Sequence, residues 1–137
     1  MSDMALDFSE DDIQRLLDNL DSFSNDEIAE IDKMAGELNT RKQNKAAYDD
    51  LIAFCKLMMP EFIVGKHHRI LADMLMDIER GEKDRVCVNI PPRHGKSQLV
   101  SIFYPAWYLG RNPNKKVMMV SHTTDLAVDF GRKVRNL

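Results

Sequence analysis

The chain has 137 residues, 44% of them apolar and 30% charged, with a formal net charge of −3. That length suits one ordinary domain of roughly 100–200 residues, and the apolar share is enough for a core. No run of about 18 apolar residues is present, which excludes a membrane-spanning helix. The acidic opening MSDMALDFSEDD lacks the basic-then-apolar order of a secretory signal.

The net charge conceals a split. Residues 1–40 carry twelve acids and two bases, whereas residues 41–137 carry ten acids and seventeen bases. An acidic arm on a basic body suits a protein whose body meets a polyanion, although on charge alone two solvated surfaces are the favoured reading. The sequence reading divides the chain accordingly, with an acidic helical arm at 1–45 and a main domain at 46–137. Cys55 and Cys87 stand far apart in apolar surroundings. They read as reduced core cysteines of a cytosolic protein, not as a disulfide or a metal site.

In chain order, Ser9 with Asp12 opens a first helix, with Ile13, Leu16, Leu17 and Leu20 on one stripe. Ser24 with Glu27 forms a capping box, followed by Ile28, Ile31, Ala35 and Leu38 at helical spacing. The polar run Asn39 to Lys45 is a linker or a solvated continuation of that helix. Leu51, Phe54, Cys55 and Met58 share the face of a third helix, which Pro60 ends. EFIV is a short extended piece. His67 to Arg80 reads as a helix with Leu71, Leu75 and Ile78 inward and Gly81 in the left-handed position after it.

RVCVNI alternates Val86, Val88 and Ile90 with Cys87 and Asn89, which predicts a strand. A loop follows, and then the helix GKSQLVSIFY with Leu99, Ile102 and Phe103 inward. Pro105 cannot donate to Ser101, so this helix must kink or restart, and a restart at PAWYLG is expected. KVMMVSH predicts a second strand, and TDLAVDFGRKVRNL a helix capped by Thr123 or Thr124. The order points to an α/β fold: the start of a P-loop ATPase domain with a parallel sheet, preceded by N-terminal helices. Two strands are too few for such a sheet, so the sequence reads as cut short.

The loop NIPPRHGKSQ carries the chemistry. Gly95, Lys96 and Ser97 match the end of the phosphate-binding pattern G-x-x-x-x-G-K-[ST], while Ile90 stands where the first glycine belongs. N–H groups at a helix start have no partner within the helix and attract anionic oxygens. Gly95 lets the backbone approach, Lys96 sets an ammonium against β- and γ-phosphates, and Ser97 offers a hydroxyl to Mg²⁺. Pro91 and Pro92 have no N–H to give, so the donors run from Arg93 to Ser97. Arg93 acts on the γ-phosphate or forms a salt bridge within the domain. His94 belongs to the nucleotide-contacting loop more as filling of the turn than as a reacting group. MLMDIE has the letters of a magnesium-binding strand, but it lies upstream of the loop and inside a helical pattern. KVMMVSH ends without a carboxylate.

From Tyr48 to Leu137, and above all across VGKHHRILADMLMDIERGEKDR and VNIPPRHGKSQLVSIFYPAWYLG, the sequence resembles the large terminase subunit of tailed bacteriophages. PPRHGKS fits a version of that family's phosphate loop in which the early glycine is missing and an arginine precedes GK[ST]. The resemblance implies an ATP-driven motor, with Mg²⁺, that moves double-stranded DNA through a portal protein into the procapsid. It implies a homo-oligomeric ring fed by a small terminase subunit in the host cytoplasm, without a membrane. Matched onto this chain, Arg93 and Lys96 are catalytic, Arg93, His94, Gly95, Lys96 and Ser97 contact ATP, and Ser97 holds the metal. GKHHRI occupies the place of an adenine-contacting motif, so His67 or His68 touches the base or else caps the following helix. Lys115, Lys116, Arg132, Lys133 and Arg135 track DNA phosphates or form a solvated face. The metal-binding Asp, the catalytic Glu and the family's C-terminal nuclease are not found, so the chain reads as the N-terminal portion of a terminase. A helicase-type ATPase and a non-catalytic fragment that binds a partner through its acidic helices are the alternatives.

Overall fold

The computed structural model describes Asp11, Arg15 and residues 24–137. Of the helix expected from Ser9 to Leu20 only Asp11 and Arg15 are described, and both are helical; the rest lies outside the described residues. The chain divides into two compact units, Met1–Lys42 and Gln43–Leu137.

Helix α1 spans Asn25–Asp49. It begins with the expected capping box. The Ser24 N–H and hydroxyl both donate to Glu27 Oε2 at 2.8 Å, and the Glu27 N–H donates to Ser24 Oγ at 3.5 Å. The backbone bond from Ser24 holds the Glu27 carboxyl below its ordinary range. Residues 39–46 are all exposed yet helical, so the polar run is a solvated continuation of the helix.

Helix α2 (Leu51–Met58) starts at once, because Asp50 is extended and its carboxylate accepts from the Ala53 N–H at 2.7 Å. Leu51, Ile52 and Cys55 are buried, and the chain leaves the helix just before Pro60. Helix α3 (Lys66–Glu79) buries His68, Leu71, Ala72 and Leu75. Gly81 follows at φ +76°, the left-handed position that its lack of a side chain permits.

Next come α4 (Lys96–Gln98), a π-helical stretch (Leu99–Phe103) and α5 (Tyr104–Arg111). The residues at their junctions are all right-handed helical, so the three form one continuous rod. This corrects the expected restart at Pro105. The Tyr104 N–H donates five residues back to the Leu99 carbonyl. Widening the helix by one residue per turn accommodates a ring that would otherwise clash with the carbonyl of Ser101. Helix α6 (Thr124–Arg135) closes the described chain, with Thr123 at its cap position but making no side-chain capping bond.

No strand is present among the described residues, so the predicted α/β fold with a parallel sheet is wrong: this is a helical chain. Residues 85–90 do alternate, with Val86, Val88 and Ile90 half-buried and Arg85, Cys87 and Asn89 exposed. That is how an extended segment lies on a core. A strand also requires a neighbour to take its N–H and C=O groups, and neither 85–90 nor 115–121 has one among the described residues. In the second run Met118 and Val120 are 87% and 84% exposed, while Met119 on the opposite side is half-buried. Cys87 is exposed, so of the two cysteines only Cys55 belongs to the core. Burial, reinforced by the charge of Asp50, pushes the Cys55 thiol up to about 12.

The core of the second unit is built on Leu51, Cys55, Leu71 and Leu99, all fully buried, with Phe62, Phe103 and Trp107 around them. The Trp107 indole N–H donates to the buried Ala47 carbonyl at 3.0 Å. Arg111 stacks between the rings of Tyr48 and Trp107, 4.6 and 4.8 Å from their centres. It also donates to the Tyr48 carbonyl at 2.6 Å and to Glu79 Oε1 at 3.2 Å. These bonds fix the rod that begins at Lys96 against α3 and the last turn of α1.

Candidate functional site

Residues 91–98 wrap around a concavity of about 330 Å³. Its shape comes from two left-handed residues, Arg93 at φ +65° and Gly95 at φ +69°. Gly95 adopts this conformation without cost, but an arginine does not, and the strain is of the kind that collects at functional loops. The prolines explain the placement. Pro91 and Pro92 have their φ fixed near −65°, so the reversal of the chain falls on the residues after them.

The helix start at Lys96 leaves donors open. The N–H groups of Gly95, Lys96, Ser97 and Gln98 find no acceptor among the described residues. The left-handed Gly95 followed by helical Lys96 turns these successive groups toward one another, the arrangement that makes an anion-binding concavity. Arg93 and Lys96 border it. Neither has an ion-pair or hydrogen-bond partner among the described residues, so the salt bridge considered for Arg93 is not made there. Ser97 is exposed, and its hydroxyl is free of protein partners among the described residues. It fits a magnesium ion whose other ligands are phosphate oxygens and water.

The three histidines expected around the nucleotide come together. The His67 and His68 ring centres are 3.9 Å apart, and those of His67 and His94 5.7 Å. Their roles differ. His68 is 7% exposed and uses both ring nitrogens. Its Nδ1 accepts from the Gly65 N–H at 3.0 Å, closing the first turn of α3, and its Nε2 lies 3.0 Å from the His94 carbonyl oxygen. An N–H donor at Nδ1 and a carbonyl at Nε2 require the neutral ring with its proton on Nε2. Burial, then the neighbouring His67, hold the His68 pKa below its ordinary value, consistent with a neutral ring. A β-carbon on Gly95 would lie 2.6 Å from His68 Nε2, so the loop rests directly on this ring. His94 is exposed, and its Nδ1 lies 2.8 Å from the Pro92 carbonyl, a bond within the turn. His67 keeps a buried Nε2 with no partner.

The loop-supporting role of His68 escaped the sequence reading. The signal available was a histidine three residues after Gly65, where a side chain can reach back to the N-cap N–H, but nothing local foretold the bond to residue 94.

The remaining candidates lie apart from the loop. Asp77 pairs with Arg80 and Lys83, and Glu79 bonds Arg111 and Asn112, so both carboxylates of MLMDIE serve the end of α3. Among the described residues no group of three or more His, Cys, Asp or Glu is placed to hold a metal ion. Lys115, Lys116, Arg132, Lys133 and Arg135 are all exposed, with Lys133 tied to Asp129 at 2.7 Å. A larger concavity, about 680 Å³, lies between α5 and α6 against Phe54, Pro105, Leu109, Met119 and Val134. Its one charged lining group is Arg135, so it lacks the converging donors a phosphate requires, and chemistry outranks volume in choosing the site. Searches against protein-family models, curated proteins and solved structures find no match to this chain.

Proposed function

We propose that the loop from Pro91 to Gln98 binds the triphosphate of ATP, and that the chain is the ATP-binding part of a DNA-packaging motor of the terminase large-subunit kind. The observation that carries the first statement is the open row of N–H donors from Gly95 to Gln98, flanked by two cations without acidic partners. The phosphate-binding statement rests on this loop and the helix behind it alone.

In this proposal the donors hold the β- and γ-phosphate oxygens, helped by the dipole of the continuous rod beginning at Lys96. Lys96 neutralises the phosphates, and Arg93 meets the γ-phosphate where charge grows in the transition state. Magnesium, bound to the phosphates, screens their charge, and Ser97 is the chain's own ligand to it. The base-contacting role that the resemblance assigns to GKHHRI would fall to the part of His67 outside its buried Nε2. The groups that would activate water are not among those brought to the loop, so little hydrolysis is expected from the chain alone. The motor role rests on the terminase-like residues from Tyr48 onward and on the basic body. Its partners would be double-stranded DNA, a portal protein, a small terminase subunit and further copies in a ring, in the host cytoplasm.

Isothermal titration with Mg-ATP tests the site. Wild-type chain should bind one equivalent, and Lys96→Ala should lose that binding while keeping its helical circular dichroism. Arg93→Ala should bind within a few-fold of wild type, yet cost on the order of 10³ in turnover in an assembled, hydrolysing motor. Unaltered affinity in the Lys96 variant removes the loop from the function, and intact turnover returns Arg93 to a structural role.

A further inference from the structure

A peptide group is planar and, among the described residues, always trans. The His94 carbonyl and the Gly95 N–H belong to the same plane and point in opposite directions. His68 Nε2–H holds the carbonyl at 3.0 Å, from the side of α3. The Gly95 N–H is thereby turned away from His68, to the other side of the loop. His68 already fills the space that a β-carbon on Gly95 would take, and on its other side the Gly65 N–H binds its Nδ1. Phe62 packs on the ring at 5.0 Å between centres, and His67 at 3.9 Å.

We infer that His68 is a positioning residue whose neutral, Nε2-protonated ring aims the first phosphate donor of the loop, so that protonating His68 weakens anion binding there. The inference rests on the phosphate-site reading above and adds its regulation. An imidazolium carries a proton on Nδ1 as well, which would face the Gly65 N–H donor to donor. The ring must then turn away from the Gly65 N–H, and in turning it releases the His94 carbonyl. Only the His94 carbonyl, which accepts from Nε2–H, favours the charged form, and burial together with His67 outweighs it. Phe62 and Gly95 carry no charge, and the titratable neighbours are His67 on the same helix and His94 on the loop, both bases. The sign follows. The folded chain holds the proton less tightly than the ordinary value of 6.5, so the arrangement is whole above that pH and is lost as pH falls through the lower folded value. A histidine touching phosphate directly would do the opposite, since its protonation would strengthen the contact.

The test is the affinity of the full chain for Mg-ATP between about pH 8 and about pH 5.5, for wild type and His68→Gln. The glutamine amide can still donate to the His94 carbonyl but does not titrate. The ionisation of the probe is common to both proteins and cancels in the ratio of their affinities. Wild type should lose affinity relative to the variant as pH falls, by at most about tenfold per unit for one linked proton. A ratio independent of pH, or one that rises in acid, overturns the inference while leaving the nucleotide site standing. No binding to folded wild type at about pH 8 overturns the site reading itself, and the inference with it. If the glutamine variant does not fold, ring-nitrogen NMR of wild-type His68 serves instead. Linkage is reciprocal, so Mg-ATP should lower the His68 titration midpoint, and an unchanged or raised midpoint overturns the inference.

Discussion

The side chains around residue 95 are chosen for a single geometry. Gly95 meets two independent demands, a φ of +69° and a β-carbon position 2.6 Å from His68 Nε2. Gly95→Ala should therefore cost about 1–3 kcal/mol, from backbone strain and displacement of the ring together. Thermal unfolding measures it, and a variant as stable as wild type would mean that the loop does not rest on His68. The tripeptide Gly95-Lys96-Ser97 was legible because helix starts and phosphates have fixed needs. The left-handed Arg93 was not, since only the two prolines before it displace the turn onto a residue that would not choose it. His68 was half legible. Its capping of α3 is a local matter, whereas its bond to residue 94 spans 26 positions, which no pattern of spacing reports.

At the level of elements, helix ends were well foretold where a side chain or a special backbone marks them. Ser24 with Glu27, Pro60 and Gly81 each stand where expected. Pro105 was read correctly as incompatible with a regular turn but not in its resolution, because a π-helical stretch has no sequence signature and keeps the rod unbroken. That continuity matters, since it ties the loop at residue 95 to the Trp107 and Arg111 cluster at the far end. Trp107→Phe would keep an aromatic ring but leave the buried Ala47 carbonyl without its donor. The expected loss is about 1–3 kcal/mol in urea unfolding, and a change of only a few tenths would show that the bond does not hold the rod. Arg111 went unnoticed in the sequence because its partners, Tyr48, Glu79 and Trp107, are brought to it only by the fold.

For the molecule as a whole, alternation of apolar residues was mistaken for pairing. Alternation states which side chains face a core, and residues 85–90 satisfy it. Pairing is a property of two backbones, and the second one is not supplied by any described residue. Hydrogen exchange separates the two ideas. The amides of residues 86–90 and 117–121 should exchange at near-unfolded rates while those of α3 around Leu71 are protected. Strong protection of both extended runs would contradict the helical architecture. The charge split is a whole-molecule feature too, legible from residue counts alone.

The central claim, that the amides opening the rod at Lys96 receive phosphate, is tested most directly by amide NMR during titration with Mg-ATP. Saturable shifts centred on Gly95, Lys96, Ser97 and Gln98 are expected, abolished by Lys96→Ala. A folded chain whose Gly95 to Gln98 amides stay unmoved at saturating nucleotide, or whose shifts gather in the apolar groove beside Val134, would contradict it.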